Sequence, residues 1–249
     1  MPGTPELAVD GTVATITLQR PDQANRLGPD DLATLYQHVD AVNAMPQVLV
    51  LRLQSHGRYF CSGYDIGRIG GERSIDFGTM VDALELARPV TIAVIHGGVY
   101  GGATDMALAC DFRVGVTSGD MFMPAARLGL HYYPSGMERY VARMGLNAAL
   151  RLFLTAERID AAEMKAIGYL THLVAPDALS AAVDSLTATL AGMAPLALLG
   201  MKKNLNRIAR GTVDAAEMQR DITAATQSAD LQEGRSAWAE KRRPVFTGR

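Results

Sequence analysis

The chain has 249 residues, 48% of them hydrophobic, with 24 basic side chains against 26 acidic ones. That length and composition can bury a large core, in one domain or one domain plus an appendage. The balanced charge leaves no footprint for generic nucleic-acid or membrane-surface binding, and no apolar run approaches the roughly eighteen residues of a membrane span.

The two cysteines, Cys61 and Cys110, form no disulfide framework and suit a reducing cytosol. The first six residues show neither the basic nor the apolar region of a signal peptide. The expectation is a soluble, cytoplasmic globule.

In chain order, Leu7 to Leu18 alternates around Asp10-Gly11, a strong hairpin signal. Pro29-Asp30-Asp31 opens a predicted helix to about Met45, because proline and early acids suit a first turn. Val48 to Leu53 reads as a buried-type strand. Gln54 to Ile66 is a glycine-punctuated loop, and Ser74 to Ala87 is predicted helical. Val90 to Ile95 is a β-branched run that meets two glycine pairs, Gly97-Gly98 and Gly101-Gly102. A helix over Ala103 to Ala109 and a strand over Phe112 to Val116 complete a compact α/β unit. Those glycines fit either a tight, closely packed turn or an anion-binding turn with free N–H groups at a helix start.

Met121 to Pro124 is a short apolar piece, and Leu128 to Gly136 is a loop rich in aromatic and hydroxyl groups. A helix is predicted from Glu138 through Leu154. Asp160-Ala-Ala-Glu163 reads as a capping-box-like helix start, and Tyr169 to Val174 as a last strand. Predicted helices then follow over 177–193, 195–210, 212–230 and 231–242. The repeated strand-then-helix order argues for α/β, without the long crossovers of a doubly wound sheet.

Several site classes are disfavoured. The G-G-V-Y-G-G spacing is not the dinucleotide fingerprint, and there is no G-K-[ST] and no G-x-S-x-G. The histidines at 38, 56, 96, 131 and 172 show no metal spacing. Cys61 has nothing adjacent to lower its pKa, which argues against a nucleophile.

Taken together, Phe60-Cys-Ser-Gly-Tyr-Asp-Ile66, the stretch Pro89 to Asp111, Leu154-Thr-Ala-Glu-Arg-Ile159 and Leu231 to Phe246 resemble the crotonase (enoyl-CoA hydratase/isomerase) superfamily. The resemblance implies a spiral of ββα repeats over residues 1–192 and a helical oligomerisation region over 193–249. That region builds trimers in this family, often paired into hexamers. It implies an acyl-CoA thioester as substrate, coenzyme A entering only as part of it, and no metal or prosthetic group. It also implies an oxyanion hole of two backbone N–H groups, carried over to Tyr64 and Gly102. Contacts to coenzyme A fall on Arg26, Ser62, Tyr64, Ile66 and Lys241, the last reaching a neighbouring subunit.

Hydratases of this family use two glutamates. Asp105 matches the first of those positions and Ala125 occupies the second, so two-acid hydration is incomplete. Within the superfamily the resemblance is nearest to methylmalonyl-CoA decarboxylase-like members, whose tyrosine falls on Tyr132. They carry a histidine where Tyr64 stands, and His131 is the candidate substitute. The expectation is decarboxylase, lyase or isomerase chemistry through a thioester enolate. The alternative is a non-catalytic acyl-CoA-binding homologue.

Overall fold

A computed structural model of the chain describes residues 3–71 and 75–249. The Asp10-Gly11 signal is realised as a hairpin: β1 (Glu6–Asp10) and β2 (Val13–Leu18) pair antiparallel, with Asp10 opposite Val13. α1 (Pro29–Asn43) starts on Pro29, and the Asp31 carboxylate accepts from the Gly28 N–H at 2.7 Å. Leu32, Leu35, Val39 and Val42 recur at helical spacing and are all buried, so this face packs inward.

Three successive ββα turns follow. The first has β3 (Val50–Ser55), β4 (Tyr59–Cys61) and α2 (Phe77–Glu85). The second has β5 (Val90–Ile95), β6 (Gly98–Tyr100) and α3 (Gly102–Ala109). The third has β7 (Phe112–Val116), β8 (Asp120–Phe122) and α4 (Pro134–Met144). The long strands join a six-stranded sheet in the order β1-β2-β3-β5-β7-β10, parallel from β2 onward, in which β10 is His172–Val174. The short strands build a second sheet, β4-β6-β8-β9, closed by β9 (Ile159–Asp160). Each turn thus gives one strand to each sheet and ends its short strand at the same edge.

Three expectations need correction. Residues 54–66 hold the strand β4 and are not all loop. Its three residues are too short to show a period, and its neighbouring glycines read as punctuation. The helix expected from Glu138 to Leu154 is two helices, α4 and α5 (Leu146–Thr155), broken at Gly145, whose φ is +82°. α4 also starts four residues earlier than expected, at Pro134. The helix expected from Ser74 begins at Phe77, with Asp76 as its N-cap, and Ser74 itself lies outside the described residues.

Four helices complete the chain after α6 (Ala161–Ala166): α7 (Leu179–Ala191), α8 (Pro195–Ala209), α9 (Ala215–Thr226) and α10 (Ala229–Glu240). Asp160 caps α6 by accepting from the Glu163 N–H. α7 packs on β3, β5 and β7 through Leu179, Val183 and Leu190. α8 is tied to the core by Lys202, whose buried ammonium donates to the carbonyls of Ala87 and Pro89 and pairs with Asp111 at 3.1 Å. Among the described residues, no single helix is long and apolar enough to cross a membrane.

Candidate active site

The loops leaving β4, β6 and β8 converge on one cavity of about 240 Å³. The β4 loop brings Ser62, Tyr64 and Ile66, and the β6 loop brings Gly101 and Gly102. The β8 loop brings Met123, Pro124 and Ala125, and the segment before α4 adds Leu130, His131, Tyr132 and Tyr133. Phe77 and Asp76 close it from α2.

Two glycines make the convergence sterically feasible. Gly63 has φ +95°, and a Cβ there would stand 2.7 Å from the Tyr100 carbonyl oxygen and 3.0 Å from the Gly102 nitrogen. The chain after β4 therefore lies directly against the chain after β6. Neither the Tyr64 N–H nor the Gly102 N–H donates to a protein acceptor among the described residues. Tyr64 is spent only through its neighbours, since Leu27 N–H donates to the Gly63 carbonyl and Asp65 N–H to the Leu27 carbonyl. Gly102 is the first residue of α3, where an N–H has no intrahelical partner and the helix dipole is positive.

The acids are placed differently from the spacing argument. Asp105, one turn into α3, is fully buried and does not line the cavity. Its Oδ1 receives the Arg139 Nη1 donor at 2.7 Å, and its Oδ2 receives the Tyr133 hydroxyl. Burial raises the Asp105 carboxyl above its ordinary value, although Arg139 and Tyr133 pull it down. Arg139 is itself fully buried and forms ion pairs also with Asp82 at 2.5 Å and Glu85 at 3.0 Å. Burial opposes its charge, but Asp105 and Glu85 more than offset that and hold the guanidinium firmly protonated. Asp76, the one carboxylate among the described lining residues, caps α2 by accepting from the Thr79 N–H at 3.0 Å and its hydroxyl at 2.5 Å. Ala125 lines the cavity and carries no acid.

Two tyrosine hydroxyls, of Tyr64 and Tyr132, are buried without a hydrogen-bond partner among the described residues. Burial first, then Asp105 and Tyr133, keep the Tyr132 phenol neutral by raising its pKa well above the ordinary value. Tyr132 and Tyr133 stack with ring centroids 4.5 Å apart, and Phe77 packs on Tyr133 and Tyr64. His131 lines the cavity from its exposed side, with Nδ1 2.8 Å from the Tyr132 carbonyl.

Arg26 does not line the cavity but flanks it, in a loose 3.8 Å pair with Asp65. Lys241, at the end of α10 with φ +55°, is exposed and not part of it. The sequence offers Tyr133, with Tyr132, as pocket lining or a catalytic group, but gives no sign of its bond to Asp105 and assigns Arg139 no role. Their role depends on a contact between α3 and α4, and no local motif encodes that contact. Among the described residues no cluster of His, Cys, Asp or Glu is arranged to hold a metal ion. A larger cleft of about 930 Å³ between the core and α8 contains none of the residues named for acyl-CoA chemistry.

A spiral of ββα turns with two glycine-bordered amides at one cavity defines the crotonase fold class. Residues 8–249 match the family model for enoyl-CoA hydratase/isomerase, and the chain belongs to that family. It is similar to the crotonyl-CoA hydratase of Syntrophomonas wolfei, 29% identical with 94% of each chain covered. It is also similar to the enoyl-CoA hydratase AFT6-1 of Alternaria alternata, 31% identical over 85% of this chain and 72% of that one. Among solved structures, an enoyl-CoA hydratase/carnithine racemase from Magnetospirillum magneticum superposes with a TM-score of 0.91. It is 26% identical, and the match covers 99% of this chain and 96% of that one.

Proposed function

We propose that this protein converts acyl-CoA thioesters through an enolate whose oxygen is held by the N–H groups of Tyr64 and Gly102. The observation that carries this reading is the close approach at Gly63, where a Cβ would stand 3.0 Å from the Gly102 nitrogen, next to two N–H groups that serve no protein acceptor among the described residues. Negative charge developing on a thioester oxygen there meets donors that need no reorganisation, each worth about 3 kcal/mol of barrier. The apolar walls, Ile66, Phe77, Leu130 and Met123, suit the acyl chain and exclude water.

The side chains favour a reaction that generates the enolate without two cavity-facing acids. Ala125 cannot move a proton, and Asp105 faces Arg139 and Tyr133. Loss of carbon dioxide from a 2-carboxyacyl thioester forms the enolate with no base. The Tyr132 hydroxyl, without a partner among the described residues and assisted by His131 at the mouth, supports a decarboxylase- or lyase-type reaction by orienting such a carboxylate. Relatives named hydratases favour water addition, and the empty second-acid position is the reason for ranking it lower here. Arg26, Ser62 and Ile66 would line the path of the pantetheine and phosphates.

Residues 193–249 would form the oligomerisation region. Leu205, Ile208, Ile222 and Trp238 are exposed on its helices, Trp238 by 88%, which favours self-association and a Lys241 contact to a bound ligand in the neighbouring subunit. The reading is tested by assaying enoyl-, malonyl- and methylmalonyl-CoA for binding and turnover. Turnover of a 2-carboxyacyl thioester is the expected result. Binding without turnover of any of them would identify an acyl-CoA-binding homologue, and absence of all CoA-thioester affinity would overturn the assignment.

A further inference from the structure

The buried Asp105 accepts from one residue that lines the cavity, Tyr133, among the described residues. We infer that Tyr133 and Asp105 form a proton relay at the thioester α-carbon, with Tyr133 touching the substrate and Asp105 acting through it. The inference rests on the acyl-thioester reading of the cavity.

The geometry is over-determined on every side of the pair. Tyr133 lines the cavity and its hydroxyl donates to Asp105 Oδ2, which leaves that oxygen able to accept from another group. Asp105 Oδ1 is fixed by Arg139, and Arg139 is fixed in turn by Asp82 and Glu85. Arg210 then holds Glu85 at 3.1 Å and the Ser135 carbonyl at 2.7 Å, which ties down the first turn of α4 just after Tyr133. Gly136 has no room for a side chain: a Cβ there would stand 2.8 Å from Asp105 Oδ2. Gly78 is likewise restricted by the Tyr133 ring at 3.0 Å. The second oxygen of a buried carboxylate needs a donor in any case; here that donor comes from a residue that lines the cavity, which is what a relay requires.

The C2–H bond of the bound thioester breaks and its proton goes to the Tyr133 oxygen, as the Tyr133 proton passes to Asp105 Oδ2. The C–H electron pair moves onto the thioester oxygen between the Tyr64 and Gly102 N–H groups. In reverse, Asp105 returns a proton through Tyr133 to the carbon. The same relay therefore quenches an enolate formed by any other bond cleavage, once Asp105 carries the proton. Burial makes that protonated form more accessible than for a solvated aspartate.

Butyryl-CoA has no leaving group, so exchange of its C2 hydrogens for deuterium in D2O, followed by mass spectrometry, reads the relay without reference to the natural reaction. Binding of the same ligand is measured in parallel by calorimetry. The wild-type chain is expected to bind and to exchange. Tyr133→Phe and Asp105→Asn should each lose exchange at least a hundredfold with Kd changed less than threefold, a split that a merely structural role would not produce. Tyr133→Phe keeps the ring packing, so it remains informative if Asp105→Asn fails to fold. Wild-type binding without exchange, or full exchange by Tyr133→Phe, overturns the relay and leaves the acyl-CoA reading intact. No binding of butyryl-CoA overturns both.

Discussion

A Cβ on Gly63 would lie 3.0 Å from the Gly102 nitrogen, so two loops 39 positions apart meet only because one of them carries no side chain. That contact sets the spacing of the two N–H groups. Gly63→Ala must move the β4 loop away from α3 and also strains a residue at φ +95°. We expect turnover to fall about 100-fold or more, as for loss of one oxyanion donor. The melting temperature should fall by several degrees, from a cost of roughly 1–3 kcal/mol. Steady-state kinetics beside a thermal melt separates the two effects.

Ala125 faces the cavity where a second acid would stand. Ala125→Glu is expected to raise hydration of crotonyl-CoA by about 10²-fold or more, the scale of one general acid–base group. The loss of absorbance of the enoyl thioester follows it directly. An unchanged rate would mean that the missing carboxylate is not what separates this chain from the hydratases.

Arg139 is completely buried between Asp105, Glu85 and the half-buried Asp82. Arg139→Met leaves the buried Asp105 carboxylate without its cation, at a cost of about 3–5 kcal/mol, while Glu85 keeps Arg210. Urea unfolding should report that loss as a lower midpoint. Replacing Arg151 instead, an exposed arginine paired with Glu157 and Glu163, should cost about 0–1 kcal/mol.

Cys61 lies beside the oxyanion loop, but burial pushes its thiol up to about 12, with the Gly63 N–H only partly offsetting this. The native protein should therefore leave Cys61 unmodified by iodoacetamide at neutral pH, whereas the unfolded chain reacts. Rapid native labelling at Cys61, detected by peptide mass spectrometry, would contradict its burial against the Asn25 carbonyl.

Hydrogen bonds from Lys203 and Arg207 lower the Glu217 carboxyl from 4.5 to about 2 and hold α9 on α8. Its folded value is depressed, so its contribution is present above pH 4.5 and is lost as the pH falls toward 2. Thermal midpoints recorded across that window should drop less steeply for Glu217→Gln than for the wild type.

The hairpin at Asp10-Gly11, the Pro29 helix start and the Asp160 cap were legible because each rests on neighbouring residues. So was the glycine-rich approach to Gly102, since a conformational demand is written at the position that meets it. The three-residue strands β4, β6 and β8 were not legible, as a period of two needs more than three residues to declare itself. Asp105 shows the other limit. Its spacing from Gly102 puts it on the correct helix turn, but only Tyr133 and Arg139, from a segment some thirty residues later, decide that its carboxylate is turned away from the cavity. Partners that arrive through tertiary contact leave no trace in local spacing.

The central claim is that a thioester oxygen sits between the Tyr64 and Gly102 N–H groups. Difference infrared spectroscopy of bound butyryl-CoA labelled with carbon-13 at the thioester carbonyl measures this directly. The account predicts that the carbonyl stretch moves to lower frequency on binding, and that the shift is lost in Gly63→Ala protein that still binds the ligand. A bound carbonyl whose frequency matches that of the free thioester would contradict it.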